Sequence, residues 1–235
     1  MTELKPKNFV VGITGASGAI YGIRLTETLL SFGYTVHLVV SNAGWRVFKE
    51  ELGYAVSDRE GLLNEQFGSY PGSLLYHPVQ DIGASIASGS FRTEGMIIMP
   101  CSMGTLSAVA HGSSDNLLTR AADVMLKEGR PLVLVPRETP LHAIHLENML
   151  KLSRMGVKLI PAMPAFYFGP ATMDDLINFM VGKVLDSFGI EHTLFRRWGG
   201  MKDDRPRTHC HRQNQLYQFM ACLSSFPSFF FKLSC

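Results

Sequence analysis

The opening segment of the chain limits its fold more than any other feature. Residues 9–13 form a short apolar run, Gly12, Gly15 and Gly18 follow, and residues 19–32 carry apolar side chains at helical spacing. Gly33 ends that helix, and residues 36–40 form a second apolar run. This order of strand, glycine turn, helix and strand is typical of the first unit of a doubly wound sheet. Because the strands are apolar throughout, we expect helices on both faces.

The alternation of short apolar runs and longer periodic segments continues to about residue 200. Strands are predicted at 74–77, 95–99, 131–135 and 158–160, and helices at 42–52, 102–110, 117–127, 141–155 and 173–188. The strand at 95–99 is expected to stop at Pro100, and Ser102 to cap the next helix. Thr139 is predicted as the N-cap of the helix at 141–155, with Pro140 in its first turn. The fold class is therefore α/β, a Rossmann-like doubly wound parallel sheet in a single domain over residues 1–200.

Residues 201–235 differ from the rest and are predicted to be an atypical C-terminal tail of unknown role. Residues 203–212 are charged, whereas 213–231 carry no charge but contain Gln, Asn, Ser and Pro. Pro227 and the polar residues argue against a membrane span there. The 22 basic and 20 acidic residues are too balanced to indicate a nucleic-acid partner. With four cysteines and no CxxC pair, the sequence predicts a reduced, cytoplasmic protein with no metal site.

The glycine turn is the first candidate site. Backbone N–H groups at a helix N-terminus suit a phosphate, and Ser17 adds a hydroxyl donor. The spacing is neither the GxGxxG dinucleotide pattern nor a P-loop, because no Lys-Ser or Lys-Thr follows. A tight turn that needs glycine for its backbone alone explains the pattern as well.

Similar turns follow the next predicted strands. Ser41 follows the second strand, where it is either a ligand-binding residue or a helix cap. Residues 100–105 repeat the glycine-rich arrangement, so two such turns in one sheet indicate a ligand with a phosphate and a ring system. Cys101 within this turn is predicted to be a buried structural thiol rather than a nucleophile, since no partner base is evident.

Charged residues mark a further strand end and one helix. Arg137 and Glu138 are either an anion clamp with a proton-handling carboxylate or a surface ion pair. Arg120 and Lys127 lie seven residues apart and share a helix face, which is commonly just solvated. His142 and His145, and the His209-Cys210-His211 pattern, lack further metal ligands and are predicted to be structural.

Four stretches resemble the UbiX-like flavin prenyltransferases. They read GITGASGAIYGIRL, MPCSMGTLSAVAHG, RAADVMLKEGRPLVLVPRETP and RRWG. The resemblance implies that FMN binds between subunits of a homo-dodecamer. It also implies that the enzyme joins a dimethylallyl group, from dimethylallyl monophosphate, to reduced FMN without a metal. The product, prenylated FMN, would serve a UbiD-like decarboxylase, a link to ubiquinone biosynthesis and aromatic acid decarboxylation.

The resemblance also implies which residues form the site. FMN would be held by Gly15, Ala16, Ser17, Ser41, Ser102, Met103, Gly104, Thr105 and Arg137. The prenyl phosphate would be held by Lys127, Arg137, Glu138, Tyr167 and Lys183, with Arg120 from a neighbouring subunit, while Ser88, Gly89 and Ser90 line the prenyl site and Trp198 covers it. The catalytic residues would be Glu51, as acid and base near the flavin, with Glu138, Lys127 and Ser17.

One position departs from the family pattern. Position 183 is Lys, where the family pattern leads us to expect Arg, so the charge is kept but the bidentate fork is lost. We therefore expect weaker phosphate binding with function retained. Two other functions fit the fold, namely an FMN-dependent decarboxylase of a cysteinyl substrate and a non-catalytic flavin carrier. The grouping of Lys127 with Arg137 and Glu138 argues against the decarboxylase.

Overall fold

A computed structural model describes residues 7–199 of the 235-residue chain. The strands are β1 (Asn8–Ile13), β2 (Thr35–Val40), β3 (Ser73–His77), β4 (Gly95–Cys101), β5 (Leu132–Pro136) and β6 (Lys158–Leu159). The helices are α1 (Ala19–Ser31), α2 (Asn42–Leu52), α3 (Arg59–Phe67), α4 (Met103–Ala110), α5 (Leu117–Lys127), α6 (Ala143–Arg154) and α7 (Met173–Ser187), with a 3₁₀ turn at Ser85–Ala87. The predicted tail at 201–235 lies outside the described residues.

The strands form one parallel sheet in the order β3-β2-β1-β4-β5-β6. One face packs against α1, α2, α3 and α7, and the other face against α4, α5 and α6. Both faces are buried because β1, β2, β4 and β5 are apolar almost throughout. The predicted Rossmann-like doubly wound fold is confirmed.

Most predicted boundaries differ from the structure by no more than one residue, but those at the end of β4 and the start of α6 were wrong. Strand β4 does not stop at Pro100 but continues to Cys101, with a register shift against β5 after Ile98. Pro100 cannot donate to the ladder, but its carbonyl oxygen accepts from the backbone N–H of Thr14 at 3.2 Å, and an irregularity of this kind tolerates proline.

Helix α6 begins later than predicted, at Ala143 rather than at residue 141. Its N-cap is His142, whose Nδ1 accepts from the His145 backbone N–H at 3.4 Å. Thr139 is not the cap but lies in the turn before the helix, where its backbone N–H donates to the Glu138 carboxylate at 3.0 Å. The Glu138 side chain therefore stabilises the turn that follows β5.

The chain divides into two units, Met1–Arg197 and Trp198–Cys235. The sheet and all the helices described above belong to the first unit. Only Trp198 and Gly199 of the second unit are among the described residues. No helix within residues 7–199 has both the length and the apolar character that a membrane crossing needs.

Candidate functional site

The carboxyl ends of β1 and β4 form the centre of the candidate site. The strand order reverses between these two neighbours, and a doubly wound sheet binds ligands at such a switch point. Thr14 ties the two strand ends together, since its hydroxyl donates to the Pro100 carbonyl at 2.8 Å and accepts from the Ser102 backbone N–H at 2.7 Å. The two turns are thus held side by side at one edge of the sheet.

The glycine turn after β1 leaves Gly15 and Ser17 exposed at this edge. Gly18 has φ of 96°, in the left-handed region that favours glycine, and is the N-cap of α1. Glu51, from the last turn of α2, accepts from the backbone N–H of Gly18 at 2.9 Å and of Ala19 at 3.1 Å. Two N–H groups predicted to receive a phosphate are therefore occupied by a carboxylate of the same chain.

Ser102 caps a helix as predicted, and Ser41 also caps one, which was one of its two interpretations. Ser41 Oγ accepts from the Gly44 backbone N–H at 3.0 Å at the start of α2. Ser102 Oγ accepts from the Thr105 backbone N–H at 3.3 Å and donates to the Thr105 hydroxyl at 3.0 Å. Gly104 is exposed in the first turn of α4. The N-terminus of α4 thus presents a small, open turn, which suits an anion.

Arg137 reaches the same edge from the end of β5. Its backbone N–H donates to the Cys101 carbonyl at 3.3 Å, and its Nε is buried without a hydrogen-bond partner. A buried guanidinium N–H without a partner is costly, and a bound anion would satisfy it. Arg137, Glu138 and Met163 line a cavity beside this edge. No ion pair joins Arg137 to Glu138 within residues 7–199, so the surface-pair interpretation is not supported.

Tyr21 is a neighbour of this site that sequence reasoning missed. Its ring lies against Gly18, where an added Cβ would approach it to 2.8 Å. Burial raises the pKa of the Tyr21 phenol, and the charge of Arg137 partly opposes that rise. The sequence could have indicated Tyr21, because it lies in the first turn of α1, three residues after Gly18. Burial also raises the pKa of the Cys101 thiol, which supports the prediction that this cysteine is structural.

Ser90, Arg120 and Lys127 form a second group, around the loop that contains the 3₁₀ turn. Arg120 Nε donates to the Ala87 carbonyl at 3.2 Å. Ser90 Oγ lies 2.9 Å from Ser88 Oγ, and an added Cβ on Gly89 would lie 2.8 Å from Lys127 Nζ. The structure thus brings together Arg120 and Lys127, which the resemblance assigned to the prenyl phosphate, and Ser90, which it assigned to the prenyl site.

This second group lies away from Arg137 within one chain. Lys127 ends α5 and precedes the start of β5, whereas Arg137 follows the end of that strand. A strand of five residues spans about 13 Å, so Lys127 and Arg137 lie at opposite ends of β5. One copy of the chain does not assemble the predicted phosphate site by itself.

Tyr167 and Lys183 belong to a third group, near the end of α7. Tyr167 packs edge-on against Phe168 and Phe179, with ring centroids 5.9 and 6.1 Å apart. Lys183 Nζ lies 3.7 Å from an Asp186 carboxylate oxygen. Trp198, predicted to cover the site, belongs to the second unit of the chain.

The residues at the sheet edge fit FMN. Gly15 is packed so closely on Ala43 that a Cβ there would overlap it, yet the residue is exposed to solvent. The open first turn of α4 and the buried Arg137 Nε provide donors for a phosphate. No group of three or more His, Cys, Asp or Glu side chains within residues 7–199 could hold a metal ion.

Comparison with known proteins identifies the family. The Flavoprotein family matches residues 1–185. The flavin prenyltransferase UbiX of Alkalihalophilus pseudofirmus is 63% identical over 199 residues, which cover 85% of this chain and 100% of that protein. This chain belongs to the UbiX flavin prenyltransferase family. The resemblance carried by the four sequence stretches is therefore confirmed.

Solved UbiX structures support the same assignment. AnUbiX (PadA1), crystallised in complex with FMN and dimethylallyl pyrophosphate, is 41% identical with a TM-score of 0.75, over 83% of this chain and 99% of that one. A dodecameric FMN-dependent UbiX-like decarboxylase from Escherichia coli O157:H7 is 48% identical with a TM-score of 0.74, over 82% of this chain and 100% of that one.

Proposed function

We propose that this chain is a flavin prenyltransferase that joins a dimethylallyl group from dimethylallyl monophosphate to reduced FMN. The observation that carries the proposal is the full-length match to a curated flavin prenyltransferase at nearly two-thirds identity. The sheet edge supports it, because an unpartnered buried Arg137 Nε and the N-terminus of α4 suit a phosphate. FMN supplies the nucleophilic ring atoms of the reaction.

The chain's own residues have three tasks in this proposal. The turn at Gly15–Ser17, the helix starts at Ser41 and Ser102–Thr105, and Arg137 hold FMN in a fixed orientation, which is worth several kcal/mol in a reaction between two bound molecules. Cations stabilise the phosphate as it leaves. Apolar and aromatic side chains such as Tyr167 exclude water from the allylic group.

We propose further that the prenyl phosphate binds between copies of the chain. Ser90, Arg120 and Lys127 form one group and Arg137 another, about a strand length apart. A neighbouring copy that brings its Lys127 to this chain's Arg137 would complete the cation cluster. The dodecameric relative supports such an assembly.

Lys183 is proposed to bind the same phosphate less tightly than an arginine would. The Lys183 side chain is exposed, so its ammonium is able to reach a ligand. The same ammonium lies 3.7 Å from an Asp186 carboxylate oxygen. Replacing Lys183 with Arg should lower the KM for dimethylallyl monophosphate several-fold, because the guanidinium offers two parallel donors. An unchanged KM would contradict this role.

The decisive experiment measures the mass of the flavin product. The protein is incubated anaerobically with reduced FMN and either dimethylallyl monophosphate or dimethylallyl pyrophosphate, and the extracted flavin is analysed by mass spectrometry. We expect a flavin heavier by one dimethylallyl unit with the monophosphate. FMN that binds but keeps its mass with both donors would favour the flavin carrier. A separate incubation of the protein with oxidised FMN and a peptide ending in cysteine tests the decarboxylase, which would reduce FMN as it oxidises and decarboxylates the peptide.

The product is proposed to serve a UbiD-like decarboxylase as its cofactor. A cytoplasmic location would suit this transfer, since both proteins then share one compartment. Apo-decarboxylase mixed with the anaerobic reaction should gain activity on its aromatic acid substrate. The same mixture without the dimethylallyl donor should stay inactive.

A further inference from the structure

Asp186, near the end of α7, joins three side chains at the edge of the third group. Its Oδ1 lies 2.6 Å from Arg197 Nη2 and 3.2 Å from His192 Nε2. Its Oδ2 lies 3.2 Å from Arg197 Nη1 and 3.7 Å from Lys183 Nζ. Although burial raises it, the hydrogen bond and charge of Arg197, with His192 and Lys183, hold the pKa of Asp186 below its usual value.

His192 fixes the segment that carries Arg197. Its side chain is fully buried, its Nδ1 accepts from the Leu194 backbone N–H at 3.2 Å, and its Nε2 donates to the Gly182 carbonyl at 2.9 Å. The imidazole therefore locks residues 192–194 onto α7. Arg197 follows this anchor by only a few residues, so its position is set by buried contacts.

An aromatic wall orients the Arg197 guanidinium. The guanidinium lies 5.5 Å from the centroid of the Phe195 ring, which in turn packs on Phe179 at 4.9 Å. The hydrogen bond and charge of Asp186 raise the pKa of Arg197, and Tyr167 adds a smaller effect in the same direction. Tyr167 and Phe179 are themselves neighbours, with ring centroids 6.1 Å apart. Packed rings therefore connect Arg197 to Tyr167, through Phe195 and Phe179.

We infer that Arg197 is a further phosphate-binding residue of this enzyme and that Asp186 is its positioning residue. The inference rests on the proposed function, because Tyr167 and Lys183 enter it as residues that bind the prenyl phosphate. It adds a guanidinium to a group in which position 183 supplies only a lysine.

The donor geometry of arginine permits both roles at once. A guanidinium has five N–H donors, and Asp186 takes one from each Nη of Arg197. No hydrogen bond described within residues 7–199 uses Nε–H, and 52% of the side chain is accessible, so Nε–H can meet a second acceptor on the exposed side. Asp186 thus fixes the orientation of the Arg197 guanidinium and leaves some of its N–H donors for a ligand. A side chain that is already ordered loses less conformational entropy when a phosphate binds.

Arg197→Gln tests the inference against a purely structural role. We expect the KM for dimethylallyl monophosphate to rise at least ten-fold, the Kd for inorganic phosphate to rise in parallel, and the Kd for FMN to stay within two-fold of the original value. Arg196→Gln is the matched control, because it removes the same charge from an exposed neighbour. Arg197→Lys should recover part of the lost affinity.

Asp186→Asn tests the positioning role. With the carboxylate gone, Arg197 keeps its charge but loses its fixed orientation, so KM should rise while kcat changes little. The inference is overturned if Arg197→Gln changes KM and phosphate binding no more than Arg196→Gln, or if Arg197→Gln and Arg197→Lys lose FMN binding to the same extent as phosphate binding.

The two proposals fail in distinguishable ways. A wild-type protein that makes no prenylated flavin contradicts the proposed function. In that case inorganic phosphate binding to wild type, Arg197→Gln and Arg196→Gln still decides whether Arg197 binds a phosphate.

Discussion

The Glu51 carboxylate lies where a bound anion would otherwise lie, on the first N–H groups of α1. It accepts from Gly18 and Ala19, at the positive end of the helix dipole. The sequence predicted a glycine turn with free N–H groups, because nothing in the local pattern indicated that a residue over thirty positions away would cap it. Glu51 is therefore held firmly at the proposed flavin site, as an acid or base would need to be.

Glu51→Gln and Glu138→Gln should distinguish a structural role of these two residues from a catalytic one. We expect both variants to keep FMN but to form product more slowly, measured by the mass assay over time. Glu51→Gln should also lower the free energy of unfolding by about 0.3–1 kcal/mol, because it removes a charge from the N-terminus of α1. Glu138 is exposed and bonds only the next residue's N–H among its described contacts, so Glu138→Gln should leave stability unchanged. Unchanged product formation in both variants would remove the carboxylates from the mechanism.

At the scale of elements, sequence patterns predicted the sheet well and its special turns poorly. Helix α5 has the predicted bounds, and β3 extends the prediction by one residue, because their apolar periods are clear. The end of β4 was missed because a proline usually ends a strand. Here the strand continues through Pro100, whose carbonyl oxygen accepts hydrogen bonds from the hydroxyl and the backbone N–H of Thr14. The start of α6 was missed because Thr139-Pro140 matches the usual pattern of a helix start, whereas the cap is His142.

The predicted site follows the same division. Ser41 and Ser102 were recognisable as caps because capping depends on local sequence. The contact of Glu51 with the N-terminus of α1 joins two elements that are distant in the sequence, and local spacing does not encode such a contact. Lys127 and Arg137 lie in one continuous motif, yet β5 separates them in space.

Helix α1 packs so closely on β4 that Gly22 has no room for a side chain. A Cβ at Gly22 would lie 2.7 Å from Ile13 Cδ1 and would also overlap the Met99 carbonyl oxygen. Gly22→Ala should therefore lower the free energy of unfolding by about 1–3 kcal/mol, although alanine favours helices. Urea-induced unfolding measures this change. Gly104→Ala is the matched control: a Cβ there meets nothing within 4 Å, so the apoprotein should gain stability or stay unchanged. Equal effects of the two substitutions would contradict this account of the packing.

The pairing of β2 with β3 brings the buried His37 against the partly buried His77. His37 Nδ1 lies 2.9 Å from His77 Nε2, and Phe91 packs edge-on against His37 at 5.0 Å. Burial, with a smaller effect of His77, lowers the pKa of His37 from 6.5 to about 4. Burial also lowers the pKa of His77, opposed by the charge of Asp81. The folded state therefore favours the neutral pair.

This pair should make the protein less stable in mild acid. Between pH 6.5 and about 4 the unfolded chain binds more protons at His37 than the folded chain does, so stability falls as pH falls through this window. The loss should be about 1–3 kcal/mol, measured by urea unfolding at several pH values. His37→Gln should reduce the dependence of the free energy of unfolding on pH, whereas His111→Gln, on the exposed surface, should leave it unchanged. Parallel slopes for wild type and His37→Gln would rule out the pair as the source.

At the scale of the whole molecule, the proposed active site requires more than one copy of the chain. Arg137 and Lys127 lie at opposite ends of β5, so neither chain alone brings both to one phosphate. Arg137→Ala and Lys127→Ala should each abolish most activity when expressed alone. When the two variants are co-expressed and assemble at random, about one in four sites pairs an intact Arg137 edge with an intact Lys127 from its neighbour. We therefore expect about a quarter of the wild-type product yield per site.

The control for this experiment pairs two substitutions from the same edge. Arg137→Ala co-expressed with Ser17→Ala leaves every chain with one damaged flavin edge, so no mixed assembly contains an intact site. Recovery of product with the first pair but not with the second would require that different copies supply the two groups. If neither pair recovers activity while both form oligomers of wild-type size, the proposal that two copies share one phosphate site is wrong.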